Sequence, residues 1–191
     1  MNKNKITEFL QSVIAIPMLA IAVPLTGLSS VTNPIVAPLA EGQVSEASMI
    51  TTQEELMLQK QGEAIDAYFA TYKAPLEGYG KKFAIEAKKN DIDWRLLAAI
   101  SMRESTGGKQ ACKRVPNSVF GYGSCKLSFK SIDESIEIVS RSLGGNNPKT
   151  SHHYEGKTTL EILRKYNSVI PNYPKEVVRI MEKIDMDGQV I

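Results

Sequence analysis

This sequence has little that would commit it to nucleic acid, to a metal or to a sheet. Its 191 residues carry 23 Lys and Arg against 21 Asp and Glu, a formal net charge of only +2. Broad electrostatic binding to nucleic acid needs a basic face, and this balance argues against one. The two cysteines, Cys112 and Cys125, include no C-x-x-C pair, so they do not make a zinc site. No long stretch alternates apolar with polar residues, which removes the signature of an extended sheet. No segment repeats, which argues against a repeat architecture. Gly121-Tyr122-Gly123 is too short to be a phosphate loop. What is present is 42% hydrophobic residues, enough for a core, in a length that suits one domain plus extra segments.

The N-terminus has the three parts of a secretory signal. Lys3 and Lys5 make a positive start, an apolar run covers residues 13–25, and small residues follow at Gly27, Ser29, Ser30, Ala37 and Ala40. The run is short for a membrane span and contains Pro17 and Pro24, which also disfavour a buried core helix. No A-x-A site sits directly behind it, so residues 1–28 read as a signal peptide or an uncleaved anchor. The expectation is a chain secreted or anchored outside the cytoplasmic membrane, touching the membrane only through this segment. Residues 29–50, rich in Pro, Ser, Val and Ala without a period, read as a linker. An even cysteine count in an exported chain suggests one disulfide, worth about 3 kcal/mol for so short a loop. The alternative is two free buried thiols.

Helical signals fill the rest. Thr52-Gln53-Glu54-Glu55 has capping-box spacing, and Leu58, Ile65, Tyr68, Phe69 and Tyr72 recur near the helical period. Residues 51–76 are therefore expected to form an accessory helix, packed on the next domain or outside it. A helix over 81–89 carries Phe83, Ile85 and Ala87. Asp93 suits the N-cap of a third helix, 94–105, which Gly107-Gly108 stops. A polar loop to Phe129 leaves room for a small β-hairpin within 119–129. Ser131-Ile132-Asp133-Glu134 is a second capping box, opening a helix with Ile132, Ile136, Val139 and Leu143 on one face. Residues 144–157 read as a loop, and Thr158 or Thr159 starts a helix through Tyr166. Pro171 and Pro174 bound a further loop before a last helix with Val177, Val178, Ile180, Met181 and Ile184. The predicted fold is mostly α with at most a small hairpin, its principal domain covering 77–191.

Glu104 is the most informative position. It lies at i+7 from Leu97 and i+4 from Ile100, so helical spacing puts a carboxyl on their apolar side. It also lies at a helix C-terminus. Low polarity and the negative end of a helix dipole both disfavour an ionised carboxyl, and a carboxylic acid that keeps its proton is what glycosidic cleavage needs. The bland alternative is a solvated Glu paired with Arg103 or Lys109.

The run from Leu97-Ala98-Ala99-Ile100 through Arg103-Glu104-Ser105-Thr106-Gly107-Gly108-Lys109 resembles the catalytic helix and turn of lysozyme-like cell-wall glycosidases. Within that group, which includes the lytic transglycosylases, the Glu-Ser pair followed by Gly-Lys is most similar to the glucosaminidase family. Asn117-Ser118-Val119-Phe120-Gly121 resembles that family's N-x-x-F-G loop. Residues 129–136 resemble its next helix start, and Tyr166-Asn167-Ser168-Val169-Ile170-Pro171-Asn172-Tyr173 resembles its late tyrosine-bearing segment, with a departure in local spacing. The resemblance runs in order over residues 81–184. It implies a lysozyme-like helical domain over 77–191 and cleavage of β-1,4 bonds between amino sugars of a peptidoglycan strand. Glu104 would be the general acid. Asn117, Phe120, Gly121 and Tyr122 would shape the sugar groove, and Tyr166 or Tyr173 would assist in it. Independently of the resemblance, the positions of Cys112 and Cys125 flank this loop, and a bond between them is expected to hold it. No cofactor, metal or nucleic acid is expected, and the expected state is a monomer.

Other residues have plainer readings. Asp133 and Glu134 are candidates for a second carboxylate, but a helix N-terminus accounts for both. His152-His153 are adjacent in a polar loop with no third ligand evident. Trp94, at a helix start, reads as core. Besides hydrolysis, three further accounts stay open: lytic transglycosylation, a non-catalytic wall-binding module that keeps the groove, and a membrane-anchored scaffold whose accessory helix binds a partner.

Overall fold

Among residues 46–187, which the computed structural model describes (side chains from 50 to 185), seven helices form and no strand. These residues are mostly helical. The expected signal or anchor over 1–28, and the linker up to residue 45, lie outside the described residues. The first helix, α1 (Glu46–Thr71), corrects the expected start. Thr52 to Glu55 lie inside it, and the last five residues assigned to the linker are helical. Nothing between Glu46 and Thr52 breaks a helix, and extending one already nucleated adds a hydrogen bond per residue.

The second half of α1 buries Ala64, Ile65, Tyr68 and Phe69 in the common core. Its Asp66 reaches the start of α2 (Gly80–Lys89), where Oδ1 accepts from the N–H groups of Gly78 at 2.8 Å and Gly80 at 2.9 Å. The two backbones nearly touch there: a Cβ on Gly62 would sit 2.7 Å from the Lys81 Cα. Every described residue, α1 included, belongs to one compact unit.

α3 (Leu96–Ser105) is the central helix. Every residue from Leu96 to Met102 is buried, so it has no single apolar face, unlike the amphipathic helix that Leu97 and Ile100 suggest. It starts two residues later than expected. Asp93 accepts the Arg95 N–H at 2.9 Å and so folds a turn ahead of the helix instead of capping it. The helix ends at Thr106, in the left-handed region with φ 53°, followed by Gly107 and Gly108, also at positive φ.

α4 (Ile132–Leu143) is capped by Ser131 Oγ, which accepts from the Glu134 N–H at 3.1 Å, while Glu134 takes the Lys130 N–H. The short α5 (Ser151–Tyr154) lies in the expected 144–157 loop. α6 (Thr159–Tyr166) carries a complete capping box between Thr158 and Glu161. α7 (Tyr173–Asp187) includes Pro174 in its first turn, where a missing N–H costs nothing. Pro174 therefore opens the helix and does not bound a loop. Residues 119–129 form successive turns in place of a hairpin, with Ser124 donating to the Gly121 carbonyl and Lys126 to that of Gly123. α7 packs on α3, α1 and α6. Trp94 is partly buried against the core, with the Arg95 guanidinium 5.5 Å from its ring centre.

Candidate functional site

The last turn of α3 leaves the core where the chain reverses, and there Glu104 becomes partly exposed between the buried Met102 and Ser105. Its carboxyl lines a groove of about 810 Å³. Residues 121–124 form one part of the lining and Tyr154 of α5 another. Tyr166 ends α6 and continues the lining through Asn167, Ser168 and Val169, while Leu127, α4 through Ile138 and Arg141, and residues 147, 149 and 150 supply the rest.

Two buried anchors fix the loop that faces Glu104. The Ser105 hydroxyl lies 2.6 Å from the Val119 carbonyl and accepts the Gly108 N–H at 2.9 Å. The Tyr166 hydroxyl donates to the Phe120 carbonyl at 2.5 Å. The loop thereby lays Gly121 against the acid, so that a Cβ there would fall 2.9 Å from Glu104 Oε2. Cys112 and Cys125 form a disulfide across the loop's ends, Cα atoms 5.9 Å apart.

The residues singled out from the sequence divide into two groups. Glu104, Gly121, Tyr122 and Tyr166 line the groove. Asn117, Phe120 and Tyr173 stand behind it. Asn117, at φ 60°, donates through Nδ2 to the Phe129 carbonyl at 2.9 Å and so closes the loop. The Phe120 ring is fully buried against Phe83, with centres 6.1 Å apart, and contributes only its backbone to the wall. Tyr173, also fully buried, stacks on Tyr166 at 6.0 Å and 14° between planes. Tyr122 lies on the other ring of this ladder, 6.2 Å from Tyr166.

The Tyr173 hydroxyl is buried near Glu104. No acceptor meets full geometry for its buried hydroxyl, yet the carboxyl is near enough to act on the phenol. Burial, then Tyr166, then the nearby Glu104 carboxyl push Tyr173 far up. Burial first and the Glu104 charge second do the same to Tyr166. Burial, with Tyr122 beside it, pushes Tyr154 up to about 12. All three are neutral phenols near neutral pH and do not supply a base; the Tyr166 proton is already given to the Phe120 carbonyl. The Arg103 guanidinium pairs with Glu176 at 2.5 Å and sits 5.8 Å from the Tyr173 ring centre, tying α3 to α7 behind the acid.

Glu104 is the one carboxylate among the groove-lining residues. Asp133 is exposed at the start of α4, and Glu134 is used in its cap. The His152 and His153 rings lie 3.8 Å apart, tilted at 49°, and no group of three or more His, Cys, Asp or Glu side chains suited to a metal occurs among the described residues. Sequence reasoning missed Tyr154, Arg141 and Lys149 as groove residues. A four-residue helix has no period to read, and two exposed cations carry no local signal. Ser105 was visible in the Glu-Ser pair, but its role depends on a bond to a residue 14 positions away.

No family model, curated protein or solved structure matches the chain. Its functional reading rests on the site itself.

Proposed function

We propose that the chain is an exported peptidoglycan glycosidase of lysozyme-like architecture, cleaving β-1,4 bonds between amino sugars with Glu104 as the general acid. The observation that carries this reading is the Glu104 carboxyl, held on a buried helix and opening into a groove walled by Tyr122 and Tyr166. In the proposed step the Glu104 carboxyl gives its proton to the glycosidic oxygen as the bond to the anomeric carbon breaks and positive charge spreads over the sugar ring; water then adds to that carbon and its proton returns to the Glu104 carboxylate. Tyr173 serves as a positioning residue, its neutral hydroxyl buried near the carboxylate that remains. The disulfide supports export, since such bonds persist in oxidising compartments. No helix among the described residues is long and apolar enough to cross a membrane.

One observation favours a second reading. Glycosidases that use two carboxylates hold them roughly 5–9.5 Å apart, and Glu104 has no such companion in the lining. A sugar's own C6 hydroxyl can then attack the anomeric carbon. Its proton passes to the Glu104 carboxylate, no water is consumed, and a 1,6-anhydro end results, as in a lytic transglycosylase. Digestion of purified peptidoglycan by the protein and by Glu104→Gln, with mass analysis of the ends released, tests both. Cleavage is expected to fall roughly 10²–10⁴-fold in the variant, the usual worth of a general acid, with folding retained. Reducing N-acetylglucosamine ends identify hydrolysis of the glucosaminidase type; anhydro ends identify transglycosylation. A variant that cleaves at the unaltered rate removes Glu104 from the mechanism, and a protein with no cleavage at all is a wall-binding module.

A further inference from the structure

The groove carries two cations that the proposed proton transfer does not use. Arg141 projects from the last turn of α4, and Lys149 comes from the segment between α4 and α5. Both line the groove that Glu104 lines, and neither is in an ion pair with any described residue; the pairs present involve Lys82, Lys88, Lys89, Arg95 and Arg103. Even Glu137, one turn before Arg141 on α4, does not pair with it. Their charge therefore meets no acidic partner among the described residues. Close to them, Thr150 lines the same groove, and its hydroxyl is buried without a partner. Asn147 beside it spends its amide on Ser142 and its carbonyl on the Lys149 N–H, so the segment bearing Lys149 is held in place.

We infer that Arg141, Lys149 and Thr150 form an anion subsite of the groove, selecting a glycan that bears a carboxylate over a neutral one. This inference rests on the glycan-binding reading above and adds the charge of the substrate to it. A guanidinium can take a carboxylate through two parallel N–H bonds, an ammonium adds a point charge, and the Thr150 hydroxyl adds one donor. In a peptidoglycan strand the carboxylate has two sources: the lactyl ether of the sugar once its peptide is removed, or the stem peptide itself.

The test is binding to the full chain carrying Glu104→Gln, so that nothing turns over, measured by calorimetry with three tetrasaccharides. One is neutral chito-oligosaccharide, one is peptide-free peptidoglycan glycan with free lactyl carboxylates, and one is the same glycan with its stem peptides. An anionic glycan is expected to bind about tenfold more tightly than the neutral one, the worth of one charge-assisted hydrogen-bonded contact. The gap should narrow at high salt, because exposed charges are screened. Adding Arg141→Gln and Lys149→Gln should erase the preference, so that the glycans bind alike. Which anionic glycan binds better identifies the source of the carboxylate. Equal binding of all three, or a preference that survives the double substitution, overturns the subsite and leaves the glycan reading standing. Binding of none overturns both.

Discussion

Gly121 sets how close the loop can come to Glu104. It has φ +62°, where a side chain meets the following carbonyl, and its missing Cβ would lie 2.9 Å from Glu104 Oε2. Gly121→Ala is expected to cost roughly 1–2 kcal/mol of stability from the left-handed backbone. It should also push the carboxyl aside, and a displacement near 1 Å at a reacting group costs about 10²-fold in rate. Thermal unfolding and peptidoglycan turnover measured on the same variant separate the two effects. A variant that loses stability but keeps its rate would show that the acid need not touch this wall.

At the scale of elements, the groove wall is a loop without regular structure, held by Asn117 on the Phe129 carbonyl and by three further devices. Ser105 fastens its middle to α3, Tyr166 fastens it to α6, and the Cys112–Cys125 bridge closes its ends. A loop is tolerated so near the core because its backbone groups find these partners. The bridge spans 13 positions, and loop-closure entropy makes such a link worth about 3 kcal/mol. Replacing both cysteines with serine should lower the unfolding free energy by about that amount in urea titrations. Hydrogen exchange should rise across residues 113–124 and change little in α4 and α7. Unchanged stability would mean that Ser105 and Tyr166 already hold the loop.

For the whole molecule, one charged cluster joins chain segments far apart. Arg95 binds Asp93 at 2.7 Å and reaches Asp185 of α7 at 3.0 Å, so the start of α3 is tied to the end of the last helix. Burial alone would raise the Asp93 carboxyl, but the Arg95 guanidinium and N–H outweigh it and hold the group below the usual carboxylate range. A carboxyl depressed in the folded state stabilises that state above its unfolded value, about 3.9. The contribution is complete above about pH 5 and is lost as pH falls through 3.9 toward the folded value. Asp93→Asn should therefore be less stable near neutral pH and show a shallower loss of stability between about pH 5 and 3. Urea midpoints across that range check it; parallel curves for the two proteins would exclude the cluster as an acid-sensitive tie.

What can be read within a short window was legible in the sequence. The stripes of α4 and α7, the Thr158 cap, the glycine stop after Ser105 and the place of Glu104 at a helix end all follow from spacing within two or three turns. The mostly helical class follows from the same local periods. Contacts across the chain were not legible. That α1 belongs to the core rests on Gly62 and Asp66 meeting residues 78–81. That Phe120 and Tyr173 support the groove without lining it rests on rings packed from distant helices. Tyr166 finds the Phe120 carbonyl 46 positions away, and Arg103 finds Glu176 73 positions away. A helical period says which face of a segment is apolar but not what covers it. Only packing, which must fill the core without voids, decides which side chains turn inward and which remain to form a site.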